Sequence, residues 1–353
     1  MKILVLCGGE SAERVVSLAS GDAVARWLVD AGFDVLKYDP EEPGVTRKAD
    51  EKMAPAAIGI AAPLPVSHGQ YDPATVRGLL QVMDTFRPDL VFPILHGGRG
   101  EDGTLQSLLD WVGIPYAGPG ALACCLAMNK HHSRIVMRAA GVPVTEGFVV
   151  PVERMRDPQW VMEQIGTSFG YPAVIKPLNG GSTIGLTKVQ SADDVPMALA
   201  AVTVLEAQAL VEAHFTGREL AATVVTEEAY PLVEIKPKTG FYDYSNKYTS
   251  GRTEYVCPAE LSEEDTKRIQ NAAVDVFRAL GSSGFARIDF LLGADGNFVC
   301  LELNSLPGMT ANSLVPKAAR ARGEEPVQLM RKIVECAVKR AEKPNPLDNG
   351  RRC

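Results

Sequence analysis

Two apolar runs joined by an Asp-Gly step constrain this chain more than any other feature. The runs are Phe285-Ala286-Arg287-Ile288-Asp289-Phe290 and Leu301-Glu302-Leu303-Asn304, and Gly293-Ala294-Asp295-Gly296-Asn297 lies between them. Asp-Gly between apolar runs signals a β-hairpin. A two-residue turn at Asp295-Gly296 pairs Ala294 with Asn297, and counting back sets Asp289 opposite Glu302 and Arg287 opposite Asn304. Strand alternation puts these four side chains on one face and Ile288, Phe290, Leu301 and Leu303 on the other, a core face. Carboxylates facing each other at about 5 Å repel unless a cation or a proton lies between them. Two carboxylates and an amide, with no His or Cys, suit Mg²⁺ or Mn²⁺.

A chain of 353 residues has room for two or three domains. Its net charge of -7 argues against a nucleic-acid surface, and no apolar run is long enough to cross a bilayer. The apolar stretch Ile3-Leu4-Val5-Leu6-Cys7 is too short for a secretion signal and runs at once into Gly8-Gly9. A buried parallel strand fits it better. Seven cysteines without metal-ligand spacing read as reduced thiols of a cytoplasmic protein.

Residues 1–118 alternate strand-like and helix-like segments: strand 3–7, helix 15–31, strand 34–38, and an apolar run over 90–95 ending at His96-Gly97-Gly98. The pattern predicts an open parallel α/β sheet, which binds ligands beyond the carboxyl ends of its strands. The stretch 41–65 reads as an irregular insertion. A central unit over 119–211 holds a helix at 129–140, a strand at 171–176, a Gly-rich loop and a helix at 193–205. A third unit, 212–345, holds strands near 219–226 and 232–235, a helix at 263–280, the hairpin and a helix at 326–341, with a mobile tail at 346–353; the strand 209–213 is expected to go with it.

Small residues in Pro177-Leu178-Asn179-Gly180-Gly181-Ser182-Thr183 let backbone N–H groups turn toward phosphate oxygens, and Lys176 adds a positive charge at the strand end. The spacing is not that of a Walker loop. The segment from Glu212 through Ala213 and Phe215 to Glu219 can offer backbone groups to a purine and a carboxylate to a ribose hydroxyl. The polar, aromatic stretch Phe241-Tyr242-Asp243-Tyr244-Ser245-Asn246-Lys247-Tyr248 has the composition of a lid that excludes water, and equally that of an ordinary surface loop.

Taken together, these segments resemble the D-alanine:D-alanine ligases of the ATP-grasp superfamily. The resemblance runs from Gly8-Gly9 to Ser313-Leu314-Val315-Pro316. It rests on Ser11-Ala12-Glu13-Arg14, His96-Gly97 with Gly100-Glu101-Asp102-Gly103-Thr104, Met128-Asn129-Lys130, Lys176-Pro177 with Gly181-Ser182, Lys247-Tyr248, Cys257-Pro258-Ala259, Arg287-Ile288-Asp289, and Glu302-Leu303-Asn304 with Pro307-Gly308-Met309-Thr310. It implies a mixed α/β and α+β architecture, an N-terminal parallel sheet followed by a two-part ATP-grasp fold. The implied reaction joins two D-alanines at the expense of ATP, through a D-alanyl phosphate, to supply a peptidoglycan precursor.

By the same resemblance, Lys130, Lys176 and Lys247 contact ATP phosphates, with Ser182 and Thr183 in the phosphate loop. Glu212, Ala213, Phe215 and Glu219 hold adenine and ribose, and Asp289, Glu302 and Asn304 bind two Mg²⁺ or Mn²⁺ ions. Glu13 takes the ammonium of the first D-alanine, linked to Ser182 and Tyr248, with His96 nearby. Arg287, Gly308, Ser313 and Leu314 surround the second D-alanine, and Arg287 stabilises the oxyanion. The family is usually dimeric, which implies a homodimer with small-molecule partners only. Asn129, Thr183 and Ala213 depart from the residues most members carry. An enzyme with D-serine, D-lactate or another amino acid as second substrate is the alternative within the superfamily. A non-catalytic nucleotide sensor would lack the complete set of charged residues, and Gly8-Gly9-Glu10-Ser11 lacks the later glycines of a dinucleotide fingerprint.

Overall fold

A computed structural model of the chain describes residues 1–55, 73–181, 183–238 and 251–342. The strand Lys2–Leu6 has parallel neighbours on both sides, Asp34–Tyr38 and Leu90–Pro93. Ile3 to Leu6 are wholly buried, as a strand covered on both faces must be. Thr46–Lys48 adds an antiparallel edge to Asp34–Tyr38, so the segment expected to be irregular supplies a strand; its part from 56 to 65 lies outside the described residues. The helix Arg14–Asp30 returns across this sheet.

Between strand and helix, Gly8 and Gly9 adopt φ of +91° and +78°. A Cβ on Gly8 would lie 2.3 Å from the Asp39 carboxylate. That carboxylate accepts from Gly9 N at 2.9 Å and Glu41 N at 3.0 Å and pairs with Arg14. The end of one strand thus fixes the loop leaving the other.

The second sheet is antiparallel, in the order Gly147–Val150, Ala209–Ala213, Ala173–Pro177, Thr187–Val189. Ala209–Ala213 is therefore an inner strand of this sheet and does not go with the later strands. Helices Pro158–Ser168 and Val195–Thr203 close its apolar face through Val161, Ile165, Leu199 and Val202.

The third sheet runs Thr253–Val256, Val233–Pro237, Arg218–Val225, Phe285–Leu292, Phe298–Asn304, with Glu228–Ala229 beside Arg218–Val225. Helix Glu263–Ala279 packs on one face through Ile269, Ala273, Val276 and Phe277. Ser262 caps it, its hydroxyl accepting from Asp265 N at 3.0 Å, and three acidic residues occupy the first turn. Helices Leu314–Ala321 and Pro326–Glu342 lie on the other side, where Leu329, Met330, Ile333 and Val334 share one core with Ile3, Val5, Val24 and Leu28 of the first unit.

The hairpin sets the expected residues opposite each other by a different route. Gly293 N donates to Asn297 O at 2.7 Å and Gly296 sits at φ +79°, so the loop is the three residues Ala294, Asp295 and Gly296. The ladder then pairs Leu292 with Phe298, Leu291 with Val299 and Phe290 with Cys300, one residue out of the expected register. A β-bulge at Leu301 restores it, so Asp289 faces Glu302 and Arg287 faces Asn304. Leu301, expected on the core face, lines a cavity with Leu291, and Cys300 fills the core position opposite Phe290.

Candidate active site

A cavity of about 660 Å³ lies between the second and third sheets. Lys130, Lys176, Thr183, Glu212, Ala213, Phe215, Glu219, Asp289 and Glu302, all named from the sequence, line it. Leu291 and Leu301 add an apolar floor. A cavity of this size with apolar walls and a few convergent charges fits a nucleotide.

One end is strongly ionic. Lys130, Arg134, Lys176, Glu212 and Asp289 are each 9 % exposed or less. Charges so buried require partners. Lys176 Nζ lies 2.5 Å from Glu212 Oε2, and Arg134 pairs with the other oxygen of Glu212. The Glu212 side chain therefore holds cations in place, whatever its backbone offers a base. Burial first, and then neighbouring Lys130, together lower the Lys176 ammonium to about 7, with Glu302 opposing the shift. The ion pair with Glu212 also opposes it, and an arriving phosphate would favour the charged form.

Lys130 opens the helix Lys130–Ala139, donates to Gly180 O and stands 4.0 Å from Glu302 Oε2. Asn129 caps that helix, accepting from His132 N at 3.0 Å, as an aspartate there would. Arg134 is a site residue that motif reading misses; its one sequence signal is its place four residues after Lys130, on the same helix face.

Asp289 receives both arms of Arg287, Nε and Nη2 each at 2.8 Å, and Asn304 Nδ2 at 3.0 Å. Among the described residues no group of three or more His, Cys, Asp or Glu side chains gathers as metal ligands. Two carboxylates and an amide at a cavity wall, one already satisfied by a cation, still fit Mg²⁺. That ion keeps waters and takes phosphate oxygens instead of a full protein cage.

Beside the Gly-rich loop, which Lys130 also contacts, loops of the first and third units meet. A methyl placed on Gly97 would lie 3.7 Å from Glu13 Oε2, and one on Gly181 3.9 Å from it. Glu13 thus stands between the His96-Gly97 turn and the Gly-rich loop. His96 is buried, with Nδ1 2.9 Å from Leu306 O and Nε2 3.2 Å from Ser20 Oγ. Burial lowers its pKa, with Glu13 opposing.

Glu101 accepts from Gly97 N at 2.6 Å and Leu306 N at 3.1 Å. Burial and then Glu13 raise it to about 7. Ser313 Oγ accepts from Thr310 N at 3.0 Å, and a Cβ on Gly308 would meet that oxygen at 3.1 Å. Leu314 opens the helix that follows. Ser182, Lys247 and Tyr248, with the lid stretch and the tail, lie outside the described residues.

Residues 2–119 match the family described as D-ala D-ala ligase N-terminus, and residues 136–335 match D-ala D-ala ligase C-terminus. A D-alanine–D-alanine ligase of Herminiimonas arsenicoxydans is 38 % identical over 91 % of this chain and 87 % of its own length. One from Pseudoalteromonas translucida (strain TAC 125) is 35 % identical over 95 % of this chain and 96 % of its own. Among solved structures, the VanG D-Ala:D-Ser ligase of Enterococcus faecalis superposes with a TM-score of 0.74 at 28 % identity, covering 95 % of this chain and 99 % of that one.

Proposed function

The chain belongs to the D-alanine–D-alanine ligase family, and on that footing we propose that it joins two D-alanines with cleavage of ATP, through a D-alanyl phosphate, to make D-alanyl-D-alanine for peptidoglycan precursors. The observation that carries this reading is the pair Asp289 and Glu302, set opposite each other on one wall of the cavity that Lys130 and Lys176 also line.

ATP lies between the sheets, its base over Leu291 and Leu301 near Ala213 and Phe215, its ribose by Glu219, its phosphates by Lys130, Lys176, Ser182, Thr183 and Lys247. Asp289, Glu302 and Asn304 would hold Mg²⁺ or Mn²⁺, two ions in our reading, which when bound offset phosphate charge. Glu13 takes the ammonium of the first D-alanine, and Ser182 and Tyr248 support it. The carboxylate of that D-alanine attacks the γ-phosphorus, the bond from that phosphorus to the β,γ-bridging oxygen breaks to release ADP, and the acyl phosphate so formed must be kept from water. The amine of the second D-alanine then attacks the acyl carbon and phosphate leaves.

Arg287 stabilises the oxyanion of that step. The second carboxylate sits by Gly308, Ser313 and Leu314, where the N-terminus of the helix Leu314–Ala321 favours an anion. Arg287 is committed to Asp289 without ligands, so its catalytic role requires cations on Asp289 in its place.

We place the N-terminal substrate domain at 1–118 and the ATP-grasp parts at 119–211 and 212–345. The pairing of Ala209–Ala213 argues for drawing the second boundary just beyond that strand. A homodimer in the cytoplasm completes the proposal. Among the described residues, no helix is long and apolar enough to cross a membrane.

The likeness to a D-Ala:D-Ser ligase supports a second reading, with D-serine as acceptor. ADP release measured with D-alanine as the sole amino acid tests the first. Stoichiometric ADP and dipeptide are expected; turnover only with L-amino acids would overturn it. Product ratios with D-alanine, D-serine and D-lactate in competition separate the two readings.

A further inference from the structure

The family resemblance implies that His96 lies near the first D-alanine, and both its ring nitrogens are taken by other protein groups. Leu306 O can only accept, so Nδ1 carries the hydrogen. Nε2 then accepts from the Ser20 hydroxyl, and a lone pair of Ser20 Oγ accepts from Met309 N at 3.2 Å. Donor and acceptor order is fixed along the whole chain of contacts, and neutral His96 is the form that satisfies it.

Glu101 grips the same residue through the peptide on its other side. Its Oε1 takes Leu306 N at 3.1 Å while Oε2 takes Gly97 N at 2.6 Å. The N–H and C=O of Leu306 and the N–H of Met309 are thus all bonded by side chains that lie more than 200 positions away in sequence. Gly308 lies between Leu306 and Met309, with Ser313 against it.

We propose that Ser20, His96 and Glu101 are positioning residues, which act together from the N-terminal unit to set the 305–310 loop and so shape the pocket for the second amino acid. The contacts of all three run to backbone groups of the protein or to one another. The inference rests on the proposed function, because it takes Gly308 and Ser313 as the acceptor side.

The test is steady-state kinetics of Glu101→Gln in the full-length protein, with the KM values for the donor D-alanine, the acceptor D-alanine and ATP resolved separately. Glutamine offers one acceptor oxygen where glutamate offers two, so one of the two amide contacts is lost. An acceptor KM raised about ten-fold, with the ATP KM and thermal midpoint within two-fold and two degrees of wild type, is expected. Unchanged acceptor KM overturns the proposal. So does a parallel rise in all three KM values with a lowered midpoint, which marks a structural role alone. Ser20→Ala, which removes only the hydroxyl between His96 and Met309, provides the same readout should the first variant fail to fold. Wild-type protein that cleaves ATP without forming a dipeptide would instead overturn the function on which the proposal stands.

Discussion

Asp289 and Glu302 are paired across two strands, but their surroundings differ. Asp289 is covered by Arg287 and Asn304, whereas among the described residues Glu302 has an ion pair only with the more distant Lys130. Glu302 is thus the carboxylate more open to an arriving cation. Glu302→Gln is expected to raise the Mg²⁺ concentration for half-maximal turnover on the order of ten-fold or more. The thermal midpoint without ligands should hold or rise slightly, because a like-charge pair is removed. Unaltered turnover at low Mg²⁺ would contradict the assignment.

The neighbouring pair His96 and Glu101 predicts opposite pH responses. His96 is held below its usual 6.5, so the unfolded chain takes up its proton first as pH falls. Its contribution to stability is therefore present above about 6.5 and is lost on acidification. Glu101 is raised from 4.5 to about 7, so the folded chain keeps its proton longer and stability from this group falls as pH rises between those values. The two slopes overlap and partly cancel in the wild type. In urea titrations from pH 5 to 7, His96→Asn should therefore lose stability as pH rises, and Glu101→Gln should gain it. Identical slopes in both variants would rule out the shifts.

At the scale of elements, the hairpin shows how a correct expectation can rest on an incorrect path. The loop is one residue longer than Asp-Gly alone suggests, and the bulge at Leu301 shifts the register back by one. Sequence alternation exposed the Asp289–Glu302 pairing because both offsets lie on the turn side of it. It could not expose the bulge, since an extra Leu in an apolar run looks like one more core residue. The bulge turns Leu301 into the cavity beside Leu291. Truncation of a half-buried leucine there removes about 1 kcal/mol of apolar contact, so Leu301→Ala should raise the ATP KM about five-fold. The Mg²⁺ requirement should not move, because the ladder that presents Asp289 and Glu302 is kept. A changed Mg²⁺ requirement with unchanged ATP KM would mean that the bulge serves the carboxylates instead.

For the molecule as a whole, local patterns revealed the pieces and long-range packing arranged them. The strands and helices expected from the sequence fall within a residue or two of their bounds, as Asp34–Tyr38 and Ala209–Ala213 illustrate, while helices Pro73–Phe86, Thr104–Val112, Ala121–Met128 and Pro158–Ser168 carry no such expectation. No local signal shows that Ala209–Ala213 pairs backward into the second sheet, that Arg134 meets Glu212, or that Ser20 reaches Met309. Those contacts join segments far apart in sequence, and periodicity is silent about them.

Arg340 is the clearest such case. From the last turns of the helix Pro326–Glu342 it donates to Tyr116 O at 2.7 Å, Gly118 O at 2.5 Å and Ser283 Oγ at 2.5 Å, with its guanidinium 4.6 Å from the centre of the Tyr116 ring. Gly284 presses on Gly118 closely enough that a Cβ there would sit 3.0 Å from Gly118 N. One side chain thereby ties the connection between first and second units to the third sheet. In Arg340→Ala two carbonyls lose a charged donor, at a cost of about 2 to 4 kcal/mol. A chain of several units need not unfold in one step, so the suitable readout is local. Limited proteolysis should cut Arg340→Ala near residues 116–120 several-fold faster than wild type, with the thermal midpoint lowered. The ATP KM should stay within about two-fold, since none of Tyr116, Gly118, Ser283 and Arg340 lines the cavity. Cleavage at the wild-type rate would show that the apolar core shared by Leu329, Ile333, Ile3 and Leu28 holds the connection without this arginine.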